Sequence, residues 1–108
     1  MEKKKISLVV SFRNEEEVID DFINESTQVL NKIADIDYEI IFVNDGSTDD
    51  SLKKLIEHHI KDKKIKIINM SRRFGPMESI MAGIRMSTGD AVINIDIDLQ
   101  DPPSIIPE

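Results

Sequence analysis

Four apolar runs rich in Ile and Val are spaced along the chain, and segments with helical periodicity separate them. The runs are Ile6–Phe12, Tyr38–Val43, Ile65–Met70 and Ala91–Ile97. Near-continuous apolar runs of this length are typical of strands that are buried on both faces of a parallel sheet. The pattern therefore predicts four buried strands.

The three intervening segments repeat apolar residues every three or four positions, which predicts helices over about 14–34, 48–61 and 76–87. Asn14 and Ser47 are the predicted caps of the first two helices, and Pro76 suits the first turn of the third. The residues predicted to face the sheet are Val18, Ile19, Phe22, Ile23, Val29, Leu30 and Ile33, then Leu52, Leu55, Ile56 and Ile60, then Met77, Ile80, Met81 and Ile84.

Strands that alternate with helices predict an α/β fold with right-handed crossovers. We expect a Rossmann-like, mainly parallel sheet of about four strands flanked by three helices, as one domain over 1–108. In such sheets, ligands bind beyond the carboxyl ends of the strands. The residues after the four runs are polar, charged or turn-forming, so one crevice is expected there.

Charge and composition exclude several classes of protein. The chain has 108 residues and a formal net charge of −7, which argues against unspecific binding to nucleic acid. It contains no cysteine, so disulfides and thiolate metal sites are excluded, and this agrees with a cytoplasmic location. No apolar stretch is long enough to span a bilayer.

The fourth run ends in Asp-Ile-Asp, and alternation along a strand places Asp96, Asp98 and Gln100 on one face. The two aspartates then lie roughly 6–7 Å apart at the backbone. Carboxylates this close repel each other unless a cation lies between them, and oxygen ligands favour Mg²⁺ or Mn²⁺. The alternative is a strand end that opens into solvent.

Three further groups at strand ends have two interpretations each. Asp45 could accept an N–H of a base, or belong to an ordinary strand-to-helix loop. Asn14 and Glu15 could face a ribose, or only favour a helix start. Arg72 and Arg73 could hold phosphate oxygens, or be solvated charges.

Other motifs point away from specific functions. The adjacent pair His58 and His59 points in different directions on a helix and is interpreted as a surface pair. No glycine-rich dinucleotide or phosphate loop follows the first run. This counts against a dinucleotide-binding dehydrogenase and a P-loop NTPase.

Taken in order, the segments `NEEE`, `VNDGSTD`, `SRRFG`, `TGDAVI` and `DIDLQDPP` resemble those of the inverting family 2 glycosyltransferases with the GT-A fold. The resemblance is closest to the polyprenyl-phosphate glycosyltransferases, such as dolichol-phosphate mannose synthase and bactoprenol glucosyltransferase. It implies an enzyme that transfers a sugar from a UDP- or GDP-sugar to an acceptor, a polyprenyl phosphate at the cytoplasmic face of a membrane, in making cell-envelope polysaccharide.

The resemblance also implies roles for individual residues. Asp45 would contact the base, and Asn14 and Glu15 would lie beside the nucleoside. Asp96 would lie near the ribose and the metal, and Asp98 would bind the metal and the diphosphate. Arg72 matches the family's arginine before the `FG` turn, and Gln100 would complete the metal shell. Ser11, Arg13 and Arg73 stand at further substrate-binding positions of the family, with residues that differ from the usual ones.

The chain departs from the family pattern at four positions. Ser11 and Arg13 stand where proline and tyrosine are usual, Arg73 replaces an asparagine, and Pro76 replaces a lysine. The acceptor-binding half of the family follows `DLQDPP`, so we expect a truncated domain whose unpaired sheet edge would allow self-association into a homo-oligomer. Two alternatives stay open, which are a non-catalytic nucleotide-binding fragment and a sugar-phosphate nucleotidyltransferase.

Overall fold

A computed structural model describes residues 4–33, 36–70 and 72–95, and the predicted Asp96, Asp98 and Gln100 lie outside these ranges. Within them, strands and helices alternate as the apolar runs predict. The elements are β1 (Lys4–Phe12), α1 (Ile19–Asn31), β2 (Ile36–Asn44), α2 (Ser51–Lys61), β3 (Ile65–Asn69), α3 (Pro76–Met86) and β4 (Ala91–Asn94). All the pairings are parallel and the strand order is β3-β2-β1-β4, which confirms the α/β prediction.

The strand order contains one reversal. The chain moves outward from β1 to β2 and then β3, and it returns through α3 to place β4 on the other side of β1. β1 pairs with β2 from Lys4 to Phe12 and with β4 from Ile6 to Val9. The topological switch point therefore lies between the carboxyl ends of β1 and β4, where open α/β sheets bind ligands.

The larger core lies between the sheet and the pair α1 and α2. Phe22 of α1 is fully buried and meets Phe42 of β2 edge-to-face, with ring centroids 6.0 Å apart. Leu55 of α2 is also fully buried. Burial of each such side chain stabilises the fold by about 1.5–3 kcal/mol, so this face holds the helices to the sheet.

The helix on the opposite face, α3, has a different orientation from the predicted one. Ser79 and Gly83 face the sheet and are buried, while the exposed fractions of Met77, Met81 and Ile84 are 74%, 43% and 39%. These small residues let α3 approach the sheet closely. The prediction that the large apolar residues face the sheet was wrong for these three, because periodicity finds an apolar stripe without showing what covers it.

The starts of α1 and α2 also differ from prediction. α1 begins at Ile19, so Asn14 does not cap it, and α2 begins at Ser51, so Ser47 does not cap it. The side chains of Asn14 and Ser47 instead join the loop after β1 to the loop after β2. On α2, Ile56 and Ile60 are 45% and 67% exposed, which contradicts their predicted burial.

A buried polar network ties the amino-terminal edge of the sheet to the end of α3. Glu39 is 1% exposed and accepts hydrogen bonds from Ser7 Oγ at 2.6 Å and from the Thr88 amide at 2.7 Å. Lys66 and Lys5 supply positive charge. Burial by itself raises the pKa of Glu39, but the hydrogen bonds from Lys66, Ser7 and Thr88 outweigh it and lower the pKa to about 2.

Candidate functional site

The loops at the carboxyl edge of the sheet are joined by side chains that receive backbone hydrogen bonds. Asn14 has a φ of 56°, a left-handed conformation that asparagine tolerates better than most residues. Its Oδ1 accepts the Thr48 amide at 2.7 Å, and its own amide donates to Ser47 Oγ at 2.9 Å. The loop after β1 is thus fastened to the loop after β2.

A second set of contacts reinforces this connection. Asp49 accepts the Ser51 amide at 2.9 Å through Oδ1 and the Glu16 amide at 3.3 Å through Oδ2. The Glu15 amide donates to Ser51 Oγ at 3.0 Å. Burial opposes ionisation of Asp49, but these hydrogen bonds from Ser51 and Glu16 hold its pKa below the ordinary value. The two loops therefore form one continuous, preorganised surface beside the switch point.

Asp45 follows β2 and is only 4% exposed. Its Oδ1 accepts the Phe74 amide at 2.7 Å and its Oδ2 accepts the Gly75 amide at 3.0 Å. The loop after β3 is in this way fastened to the loop after β2, and all three loops meet at one edge.

The exposed side chains of Arg72 and Arg73 lie in this third loop. The Arg72 guanidinium lies 4.8 Å from the centroid of the Phe74 ring, a cation–π distance. Arg13, after β1, is also exposed, and Ser11 is half-buried in β1 opposite Val43. The edge thus presents cationic groups on a chain with a net charge of −7.

Asn44 and Asn69 end β2 and β3, and the prediction of site residues omitted both. They are register partners, and Asn44 Nδ2 donates to Asn69 Oδ1 at 3.0 Å. Asn44 Oδ1 also accepts the Ser47 amide at 3.1 Å. The signal in the sequence is an asparagine at the end of two apolar runs, but only the sheet register shows that the two meet.

The strand that leads to the predicted metal ligands runs to the same edge. β4 pairs with β1 up to Asn94, and the Ile95 amide donates to Val9 O at 3.1 Å. Asp96, Asp98 and Gln100 come next in the sequence but lie outside the described residues. Among residues 4–33, 36–70 and 72–95, no three His, Asp or Glu side chains gather in a way that could hold a metal ion.

The two histidines, interpreted from sequence as a surface pair, are half-buried and have separate partners. His58 Nε2 lies 2.7 Å from Asp20 Oδ1, which joins α2 to α1. His59 Nδ1 lies 2.6 Å from Ile65 O. In the part of the chain that the structure describes, no helix is both long and apolar enough to cross a membrane.

Comparison with known proteins identifies relatives over nearly the whole chain. The family described as Glycosyl transferase family 2 matches residues 7–108. An uncharacterized glycosyltransferase of Synechocystis sp. is 45% identical over 104 residues, which cover 96% of this chain and 32% of the relative. The uncharacterized glycosyltransferase YkcC of Bacillus subtilis is 44% identical over 102 residues, covering 94% of this chain and 31% of the relative. The chain thus spans about a third of the length of these relatives.

Solved structures share the fold. The mannosyltransferase PcManGT from Pyrobaculum calidifontis, in complex with GDP-Man and Mn²⁺, superposes with a TM-score of 0.77 at 18% identity. That match covers 89% of this chain and 28% of the mannosyltransferase. S. aureus TarS in complex with UDP-GlcNAc has a TM-score of 0.73 at 25% identity, over 87% of this chain and 26% of that chain.

Proposed function

Because the chain belongs to glycosyl transferase family 2, we propose that it forms the nucleotide-sugar-binding part of a glycosyltransferase. The observation that supports this most is the convergence of three mutually fastened loops at the carboxyl edge. The loop after β1 borders the switch point between β1 and β4, where this class of sheet binds its ligands, and the other two loops are fastened to it in turn.

The proposed donor is a UDP- or GDP-sugar. Structural neighbours bind GDP-Man and UDP-GlcNAc, so the fold accommodates either base. Asn14 and Glu15 lie in the preorganised loop after β1, where we place the nucleoside. Asp45 is assigned to the base. Its carboxylate has about four lone-pair sites, so two backbone amides leave capacity for a base N–H.

The diphosphate is anionic and needs positive charge at this edge. Arg72 and Arg73 are exposed there, and an arginine fork can bind phosphate oxygens in a bidentate way. Arg13 and Ser11, at the end of β1, border the same surface. These groups would orient the donor and take up part of the charge that develops on the departing nucleotide.

A divalent cation, Mg²⁺ or Mn²⁺, fits the donor set that follows β4. Asp96, Asp98 and Gln100 offer only oxygen ligands, which suits hard cations. The parallel pairing of β4 with β1 brings the carboxyl end of β4 to the same edge of the sheet as the arginine-bearing loop. When bound, the metal would neutralise charge on the diphosphate leaving group.

The proposed acceptor is a polyprenyl phosphate at the cytoplasmic face of a membrane, as the motif `DIDLQDPP` favours. A phosphate acceptor is already anionic at neutral pH. Its oxygen would attack the anomeric carbon as the bond from that carbon to the nucleotide diphosphate breaks, with inversion. Little general-base assistance is needed, in contrast to a hydroxyl acceptor.

Calorimetric titration with UDP and with GDP, each with and without Mn²⁺, tests this proposal. We expect saturable, metal-enhanced binding of one nucleotide. The double substitution Arg72→Ala with Arg73→Ala should weaken that binding at least about tenfold, since each charge-assisted hydrogen bond contributes about 1.5–3 kcal/mol.

Arg85→Ala is the matched control, because Arg85 is exposed in the last turn of α3, at the other end of that helix from the arginine loop. It should leave the nucleotide affinity unchanged. Failure of the folded chain to bind either nucleotide would count against the proposed function.

A further inference from the structure

The carboxylate of Asp45 is shared between two consecutive backbone amides of another loop. Oδ1 accepts from Phe74 at 2.7 Å and Oδ2 accepts from Gly75 at 3.0 Å, across 29 and 30 residues of sequence. The residue is 4% exposed. Hydrogen bonds to a charged acceptor with little solvent competition are stronger than neutral ones.

Two glycines make this arrangement sterically feasible. Gly46 has a φ of +78°, and a Cβ placed there would lie 3.1 Å from Arg73 N and 3.2 Å from Arg73 Cα. Gly75 has a φ of +101°, a conformation that other residues rarely adopt, and its amide points to Asp45. The turn after β2 and the loop after β3 are therefore in backbone contact.

We infer that Asp45, besides the base contact proposed above, acts as a positioning residue, which holds the loop 72–75 so that Arg72 and Arg73 present their guanidinium groups at the carboxyl edge. The carboxylate and the absence of a side chain at Gly46 together form a clamp on the backbone of this loop. The clamp itself stands on the geometry alone. Its consequence for ligand binding rests on the proposed function, in which the two arginines bind the diphosphate.

Asp45→Asn is the sharpest test of the clamp, since it changes one oxygen to an amide group of nearly the same shape. The new NH₂ would face a backbone N–H, so one hydrogen bond is lost and two donors oppose each other. Loss of a charge-assisted hydrogen bond predicts at least about tenfold faster amide hydrogen exchange at Phe74 and Gly75, measured by NMR. Trypsin should also cleave after Arg72 and Arg73 faster than in the wild type.

Asp49→Asn is the matched control. Asp49 makes the same kind of carboxylate-to-amide contacts, but to Glu16 in the loop after β1 and to Ser51 at the start of α2. It should leave exchange at Phe74 and Gly75 and cleavage at the arginines unchanged. If Asp45→Asn fails to fold, Gly46→Ala is the second variant, because it keeps the carboxylate and displaces the Arg73 backbone. It should loosen the same loop.

Nucleotide titration separates the clamp from the proposed function. We expect Asp45→Asn to weaken UDP or GDP binding, and the Arg72→Ala, Arg73→Ala substitutions to add little in that background, because coupled residues are non-additive. Loosening of the loop without loss of affinity would support the clamp and count against the arginines as diphosphate ligands. Unchanged exchange and cleavage in folded Asp45→Asn and Gly46→Ala would overturn the clamp.

Discussion

Ser7 Oγ donates a 2.6 Å hydrogen bond to Glu39 Oε2 between β1 and β2, at the edge of the sheet opposite the candidate site. The same oxygen accepts the Thr88 amide, and Ser7 Oγ in turn accepts the Gly89 amide at 2.8 Å. One buried carboxylate thereby links the sheet to the turn that follows α3. This arrangement has a consequence for stability that depends on pH.

Glu39 should contribute to folding stability mainly above about pH 4.5. The pKa of Glu39 is about 2 in the folded protein, against an ordinary value of 4.5. Its contribution to the free energy of unfolding is therefore complete above pH 4.5 and is lost as the pH falls from 4.5 to about 2. This difference corresponds to about 3 kcal/mol at neutral pH. Glu39→Gln should destabilise the protein by a similar amount and flatten the acid limb of its stability curve.

Urea unfolding from about pH 6 to about pH 3 checks this prediction. Glu57→Gln, on the exposed surface of α2, is the control for the loss of one negative charge. Equal pH slopes for Glu39→Gln and the wild type would contradict the role of Glu39.

A pair of substitutions at Asn14 separates its side chain from its backbone conformation. Asn14→Gly retains the φ of 56° without strain but loses the acceptor for the Thr48 amide, and should cost about 1 kcal/mol. Asn14→Ala should cost about 1–2 kcal/mol more, because a Cβ disfavours the left-handed region. Chemical denaturation of both variants measures the difference, and equal stability of the two would show that backbone strain at this position is unimportant.

Gly83→Ala should destabilise the protein, although the same change in an exposed helix stabilises it by about 1 kcal/mol. A Cβ at Gly83 would collide with Val9, which is fully buried in β1, and overpacking of this kind costs about 1–3 kcal/mol. Adding Val9→Ala restores space, so the double variant should be more stable than the sum of the single effects. Thermal unfolding of the three variants tests the coupling, and additive effects would argue against the close approach of α3.

Asp98→Ala should abolish the enhancement of nucleotide binding by Mn²⁺ while leaving the metal-independent affinity within about twofold. The reason is that a single carboxylate supplies a large part of the charge in an oxygen-only cation site. Asp21→Ala, on the exposed face of α1, removes the same charge elsewhere and serves as the control. Unchanged Mn²⁺ dependence in Asp98→Ala would contradict the metal role proposed for this residue.

Local sequence pattern was sufficient to predict the alternation of strands and helices and the edge of the sheet at which the loops after the strands meet. Runs such as Tyr38–Val43 are apolar at nearly every position, which is typical of strands buried on both faces of a parallel sheet. Parallel strands then bring the residues after each run to the same side of the sheet. The family was indicated by the ordered motifs, which contain the candidate site residues, and not by the apolar periodicity, which indicates only the fold.

Tertiary structure alone decided which faces are covered and which loops hold one another. The stripe of α3 was visible in the sequence, but only the close approach of Gly83 to Val9 shows that small residues, and not methionines, face the sheet. In the same way, Asn14 and Asp45 looked like a helix cap and a turn residue. Each accepts backbone hydrogen bonds from a loop about 30 or more residues away, and no local pattern encodes a partner at that separation.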